Sequence, residues 1–465
     1  MNNLNFLVDV LKDSPVFKTL EKNVKPGRTV CASGLSTINK SNIIYALCRL
    51  KGVTAFCLAS DEKEAQTLCN DLSCMGLRAY VYPVRDFNFL DFQSRSHEYE
   101  HVRLKVLLKL INHECDVAIA CVDAAAQLTV PRNVLEQSVI EFEEGRELSL
   151  EKATKALTLL GYERFDAVEG SGQFSLRGGI LDFFMPDSDY PVRCEFWGDE
   201  ITDLSYFDIE TQRRFKKADK ITLSPSTEIV IEDRAALADK IEHKAKLLRS
   251  KNSAKAKEKL FSEAELIRSG AMIANADKFI NQIYDKPESL FDYLDRNTLV
   301  FASEFTAIQE RGKSMDFISN ETLMQGFEDG TLCRGFDRFA LTFNECTEFL
   351  QSHGTIVLEN FVHGSMPIKL SEIISFSTKQ LSAWGGSYKQ LKEDVDGLFT
   401  PESKGVIFAG TERAAKNLCD TFNADGVNAV YSEGADKISK GELLVMQGAL
   451  SAGFEYPSQL SLIHI

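Results

Sequence analysis

The stretch "RTVCASGLSTINKSNIIYALCRL", residues 28 to 50, decides the fold. Residues 28 to 33 read as a buried strand, small, apolar or β-branched after Arg28, and from Lys40 onward apolar residues recur at helical spacing. Between them, Gly34, Lys40 and Ser41 keep the register of the phosphate-cradling pattern G-x-x-x-x-G-K-[ST], with Asn39 at the second glycine. In a working loop the glycines let backbone N–H groups close on phosphates, Lys meets their charge and Ser or Thr holds Mg²⁺. Asn39 adds a side chain where that approach must be close. Asn tolerates left-handed dihedrals, so the shape of the loop can survive while its fit to ATP is impaired.

Outward from this loop, "VTAFCLA" (53–59), "LRAYVY" (77–82) and "DVAIACV" (116–122) read as further buried strands separated by helical stretches. Such alternation predicts a parallel sheet flanked by helices. An ATPase built on that sheet also needs an acidic pair at a strand end, where Asp anchors Mg²⁺. The best strand, "TLVFASEF" (298–305), ends in Ser303-Glu304, and a serine hydroxyl is a far weaker anchor than a carboxylate. Asp123 closes another strand but is followed by Ala124. Two defects in one apparatus predict a disabled nucleotide site and no enzymatic activity.

The 465 residues exceed one ordinary core, and their net charge of −15 argues against DNA binding over the whole surface, favouring a protein partner. A local basic patch stays open. No run approaches the roughly 20 apolar residues that span a bilayer. The beginning "MNNLNFLVDVLKDS" lacks the features of a secretion signal, and the eleven cysteines include no C-x-x-C pair. A reduced, cytoplasmic protein is expected, with no membrane partner. "HEYEH" (97–101) fits the zinc-protease pattern, with His97 and His101 as ligands and Glu98 as base. The extended pattern would need a histidine where Leu107 stands, and Glu114 is a poor substitute. A polar helix start is the better reading, and no metal is expected.

After Pro131 the rhythm changes to short strands with hairpin punctuation, then to a charged helical region from about 235 to 285, then to a last α/β segment. In "PVRCEFWGDE" strand alternation puts Val192, Cys194 and Phe196 on one face and Arg193, Glu195 and Trp197 on the other. Gly198-Asp199 predicts a hairpin turn beside Trp197. Arg177 precedes paired glycines that permit a bulge or a close backbone approach. Arg and Trp are enriched in binding hot spots. A salt-bridged sheet with Trp197 covered by a neighbour accounts for the pattern equally well.

"FSLRGGILDFFMPDSDYPVRCEFWGDEITDLSYFDIETQRR" resembles the signature shared by the excision repair protein UvrB and the transcription-repair coupling factors of the Mfd family. "LFDYLDRNTLVFASEF" and "LSAGFEYP" are similar to the Mfd side of that family. The resemblance implies a degenerate P-loop, RecA/helicase-like parallel sheet in two parts (1–128 and 211–380). Between them would sit an inserted α+β UvrA-binding domain (129–210), with a further small α/β domain at 381–465. It implies that Arg177, Arg193, Glu195 and Trp197 face UvrA, while Gly34, Asn39, Lys40, Ser41, Ser303 and Glu304 are a nucleotide site out of use. It also implies an N-terminal piece of a longer factor, whose missing parts would bind RNA polymerase and double-stranded DNA and use ATP and Mg²⁺. This piece itself would carry no cofactor. The rival expectation is an active UvrB-like DNA-dependent ATPase.

Overall fold

The computed structural model describes residues 4–85, 97–138, 140–249, 253–270, 276–361, 366–381, 387–434, 438–456 and 461–464. The first strands are β1 (Val30–Ser33), β2 (Ala55–Ala59), β3 (Ala79–Tyr82) and β4 (Val117–Cys121), within two residues of the sequence expectation. The chain then leaves for an insert that opens with β5 (Ile140–Glu143) and β6 (Glu163–Arg164). It continues through β7 (Gln173–Arg177), β8 (Ile180–Phe183), β9 (Val192–Trp197) and β10 (Glu200–Phe207) to β11 (Arg214–Lys217) and β12 (Lys220–Leu223). It returns with β13 (Leu299–Ser303), β14 (Thr355–Leu358) and β15 (Glu372–Ser375). These complete a seven-stranded sheet of order β15-β1-β14-β13-β2-β4-β3, in which every pairing is parallel. Its central strands are buried on both faces, which is why they read as unbroken apolar runs.

The insert is a six-stranded sheet, β11 through β6 in descending order, with the β5–β12 pair beside it and the helix Leu150–Leu159 on its apolar face. Both of its ends lie later in the chain than the expected 129–210. β12 pairs with β5 from Leu223–Ile140 to Lys220–Glu143, so the exit strand closes against the entry strand and the unit runs from 140 to 223. Residues 128 to 135 belong instead to the large sheet, because Leu128, Val130 and Leu135 lie in its core. After the insert the helices Arg234–Leu247 and Ser253–Arg268 pack as an antiparallel hairpin around Leu237, Ile241, Leu260 and Ile267.

The last unit contains β16 (Lys379–Leu381), β17 (Lys404–Ala409), β18 (Ala429–Tyr431), β19 (Leu443–Gln447), β20 (Gly453–Tyr456) and β21 (Ser461–His464). They form one mixed sheet of order β16-β20-β21-β17-β19-β18. Its Val406, Phe408, Leu444, Met446, Phe454 and Tyr456 share an apolar cluster with Ile43, Ile44 and Leu47 of the helix Thr37–Lys51. That helix is buried continuously from Ile38 to Cys48, as expected of a helix covered on all sides. Residues 457–460 and 465, at the end of the family-like segment, lie outside the described residues.

Candidate partner-binding face and nucleotide-site remnant

The residues of the phosphate-loop pattern do come together, in a different shape from the expected one. The helix starts at Thr37 rather than at Lys40, so Asn39 is helical and Lys40 donates its backbone N–H to Ser36 O at 3.0 Å. Asn explains the difference: a glycine would weaken a first turn that Asn39 accepts, and the Ser36 hydroxyl donates to Asn39 Oδ1 at 2.6 Å. Of the loop amides, Gly34 donates to Asn360 O and Leu35 to Glu359 O, both at 3.1 Å. Gly34 is kept for packing, with φ +80° and Phe376 O only 2.2 Å from where a Cβ would stand.

Lys40 is 2% exposed and surrounded by acceptors: Glu304 Oε1 at 2.6 Å, Ser303 Oγ at 2.9 Å and Glu64 Oε1 at 3.4 Å. Ser303 also donates to Glu64 Oε1 at 2.6 Å, and Glu359 is fully buried next to Glu304. Burial, reinforced by the Glu304 charge, pushes the Glu359 carboxyl up to about 7. Burial also works on Glu64, but Lys40 and hydrogen bonds from Ser303 and Ser60 outweigh it, and its carboxyl sits below the usual range. Ser41 turns away from this cluster. Its hydroxyl donates to Asp71 Oδ2 at 3.2 Å, and Asp71 in turn accepts from Ser451 N (2.7 Å) and Ser451 Oγ (2.8 Å) of the last unit. An ammonium already paired with the Glu304 and Glu64 carboxylates is a poor fit for a triphosphate, whose charge they would repel.

"HEYEH" opens the helix Glu98–Ile111 and is bound to residues 227 and 228, just after the insert. His97 and His101 share a helix face as their spacing requires, with ring centroids 6.1 Å apart. The acid they flank is Glu100, which lies 2.8 Å from His97 Nδ1 and accepts from Thr227 Oγ1 and Glu228 N. Burial holds the His101 imidazole below its ordinary range. Leu107 is fully buried and Glu114 pairs with Lys109. Among the described residues no group of three His, Cys, Asp or Glu side chains is placed to hold a metal ion.

On the insert, burial along β9 alternates as the sequence requires: Val192, Cys194 and Phe196 inward, Arg193, Glu195 and Trp197 outward. Trp197 is 82% exposed, so no neighbouring unit covers it. It closes the β9–β10 strand pair, opposite Glu200 across a two-residue turn in which Gly198 has φ +64°. Gly178 plays the same part between β7 and β8, with φ +63°. Gly179 allows close approach instead, since its Cβ would meet Phe196 O at 2.8 Å.

Arg177 and Arg193 converge on Asp182, a residue that sequence reasoning missed. Asp182, 1% exposed, accepts from Arg193 Nε (2.7 Å), Arg193 Nη2 (2.8 Å) and Arg177 Nη2 (2.8 Å). Gln212, at φ +57°, adds its backbone O and Oε1 to Arg193 at 3.2 Å each, and the guanidinium lies 4.4 Å from the Phe207 ring centroid. The turn that presents Gln212 is held by Asp208 Oδ1, which accepts from Thr211 N and Thr211 Oγ1. These contacts give the F-D-x-x-T-Q-R signature a physical reason. Arg193 is thus a largely enclosed brace, against the expectation of a free contact residue, while Arg177 is half exposed. Glu195 pairs with Arg214, which also reaches Asp203 Oδ2 at 2.9 Å. The signal that could have found Asp182 is the pairing of β8 with β9, whose register sets it opposite Arg193.

Residues 140–229 match the UvrB interaction domain. The chain is 26% identical over 461 residues to the transcription-repair-coupling factor of Bacillus subtilis, which covers 96% of this chain and 39% of the relative. It is 25% identical over 398 residues to that of Staphylococcus epidermidis, covering 81% of this chain and 32% of the relative. The chain therefore spans less than two fifths of the length of these relatives. The similarity read from the insert extends over most of the chain.

Proposed function

We propose that this chain is a non-catalytic adaptor of transcription-coupled nucleotide excision repair, which recruits UvrA through the outer face of the insert. The observation that carries this reading is Trp197, 82% exposed at the end of a sheet whose charged neighbours are already ordered. An exposed aromatic on a braced frame loses little conformational freedom on binding, which is what a hot spot needs. Trp197 fills an apolar pocket of the partner and Arg177 meets a carboxylate or carbonyl. Arg193 and Glu195 hold the strand geometry through Asp182, Gln212 and Arg214. The match of 140–229 to the UvrB interaction domain supports UvrA as the partner.

The remnant around Lys40 supports an adaptor over an ATPase. Its ammonium is taken up by Glu304, Ser303 and Glu64, and the Ser41 hydroxyl helps to seat the last unit through Asp71. In a whole coupling factor, polymerase binding and ATP-driven translocation on DNA would reside outside this chain. Pull-down of UvrA by this chain, with and without ATP, tests the reading: capture independent of ATP supports it, and no capture ends it.

A further inference from the structure

The chain carries a net charge of −15, yet residues 244 to 259 hold seven Lys and Arg against the single carboxylate of Glu258. Those that the structure describes, 244–249 and 253–259, stand at the adjoining ends of the helices Arg234–Leu247 and Ser253–Arg268. Between these ends and that of the long helix Phe305–Asp329 lies a groove of about 630 Å³. Its floor is apolar, with Leu247, Leu248, Ala256, Phe327 and Leu332, and both Leu247 (60%) and Phe327 (37%) are exposed. Lys244, Arg249 and Arg334 stand at its rim. Lys244 donates to Gly335 O at 3.3 Å, whereas Arg249 and Arg334 have no hydrogen-bond or ion-pair partner among the described residues.

A ligand that covers two guanidiniums must bring anions to them, because burying an unpaired charge is costly. Nucleic acid phosphates would meet the arginines but leave the Leu247–Phe327 floor in water. A peptide that combines both chemistries satisfies rim and floor together. We propose that this groove docks an acidic amphipathic helix of a protein partner, its apolar side chains on the floor and its carboxylates on Arg249 and Arg334. Glu328 and Asp329 end the long helix, so the partner's carboxylates point to the hairpin side.

The probe is a fluorescein-labelled peptide of about 14 residues (four helical turns), with Leu and Phe at i, i+3, i+4 and i+7 and Glu elsewhere, titrated against the whole chain by anisotropy. Saturable binding is expected, weakened at least about tenfold by Arg249→Glu with Arg334→Glu, and separately by Phe327→Ser. Trp197→Ala should bind the peptide as the unaltered chain does, which separates this groove from the insert. The proposal is overturned by absence of binding, by equal binding of a scrambled peptide or of the charge-reversed chain, or by duplex DNA displacing the peptide at lower concentration.

Discussion

Arg193 and Asp182 face each other across β8 and β9 in a two-point ion pair, Nε to Oδ1 at 2.7 Å and Nη2 to Oδ2 at 2.8 Å. Asp182 is almost wholly enclosed, so the pair is a fixed strut of the sheet rather than a mobile surface contact. Such paired, charge-assisted bonds define a direction as well as an energy. The strut sets the outward row on which Arg177 and Trp197 stand.

Asp182→Ala leaves Arg193 with only Gln212 and the Phe207 ring. Urea unfolding should show a loss of about 2–3 kcal/mol, below the range for a fully buried pair because Arg177 is half exposed and can turn to water. UvrA affinity should fall as well. An Asp182→Ala chain of unchanged stability would mean that the strut does not hold the sheet.

Asp71 joins the loop helix to the last unit by accepting from Ser41 and twice from Ser451. Replacing it with Ala should make residues 387–456 more susceptible to limited proteolysis while the insert keeps its resistance, as expected when one unit opens below the global unfolding energy. Uniform susceptibility across the chain would refute a local latch.

Glu359 predicts a pH signature. Its carboxyl is raised from an ordinary 4.5 to about 7 by burial and by Glu304, so the folded chain holds a proton that the unfolded chain releases. Its stabilising contribution is complete below about pH 4.5, declines as the pH rises, and is gone above about 7. Glu359→Gln stays neutral, so its stability relative to the parent should rise between pH 4.5 and 7 and then level off. Depressed carboxylates such as Glu64 act in the opposite sense but are common to both chains. A difference that is flat with pH would contradict the assignment.

Thermal melts with about 1 mM Mg-ATP should show no rise in Tm, because a ligand that binds the folded chain must stabilise it. A clear rise that disappears in Lys40→Ala would revive the ATPase reading.

Much of this was legible in the sequence because strands and helices impose short periods. Alternation alone predicted which side of β9 carries Arg193, Glu195 and Trp197. The separate segments containing Lys40 and Ser303-Glu304 were matched correctly, since parallel strands bring their ends to one edge. What stayed hidden depends on register and distance. Glu359 sits far from Lys40 along the chain, Glu64 opens the next helix, and Asp182 looks like an ordinary strand carboxylate until β8 is laid beside β9. Asn39 is expected to preserve a loop, but the helix already starts at Thr37 and holds Asn39 in its first turn. The insert ends beyond the expected residue 210 because β12 pairs with a strand that lies some 80 residues earlier (the spacing of paired strands is not a local property).

Titration calorimetry of purified UvrA into the parent chain and into Trp197→Ala tests the central proposal most directly. Saturable binding by the parent is expected, with a loss of about 1–3 kcal/mol in the variant and its thermal unfolding unchanged because Trp197 is exposed. Equal affinity of the two chains would contradict that proposal.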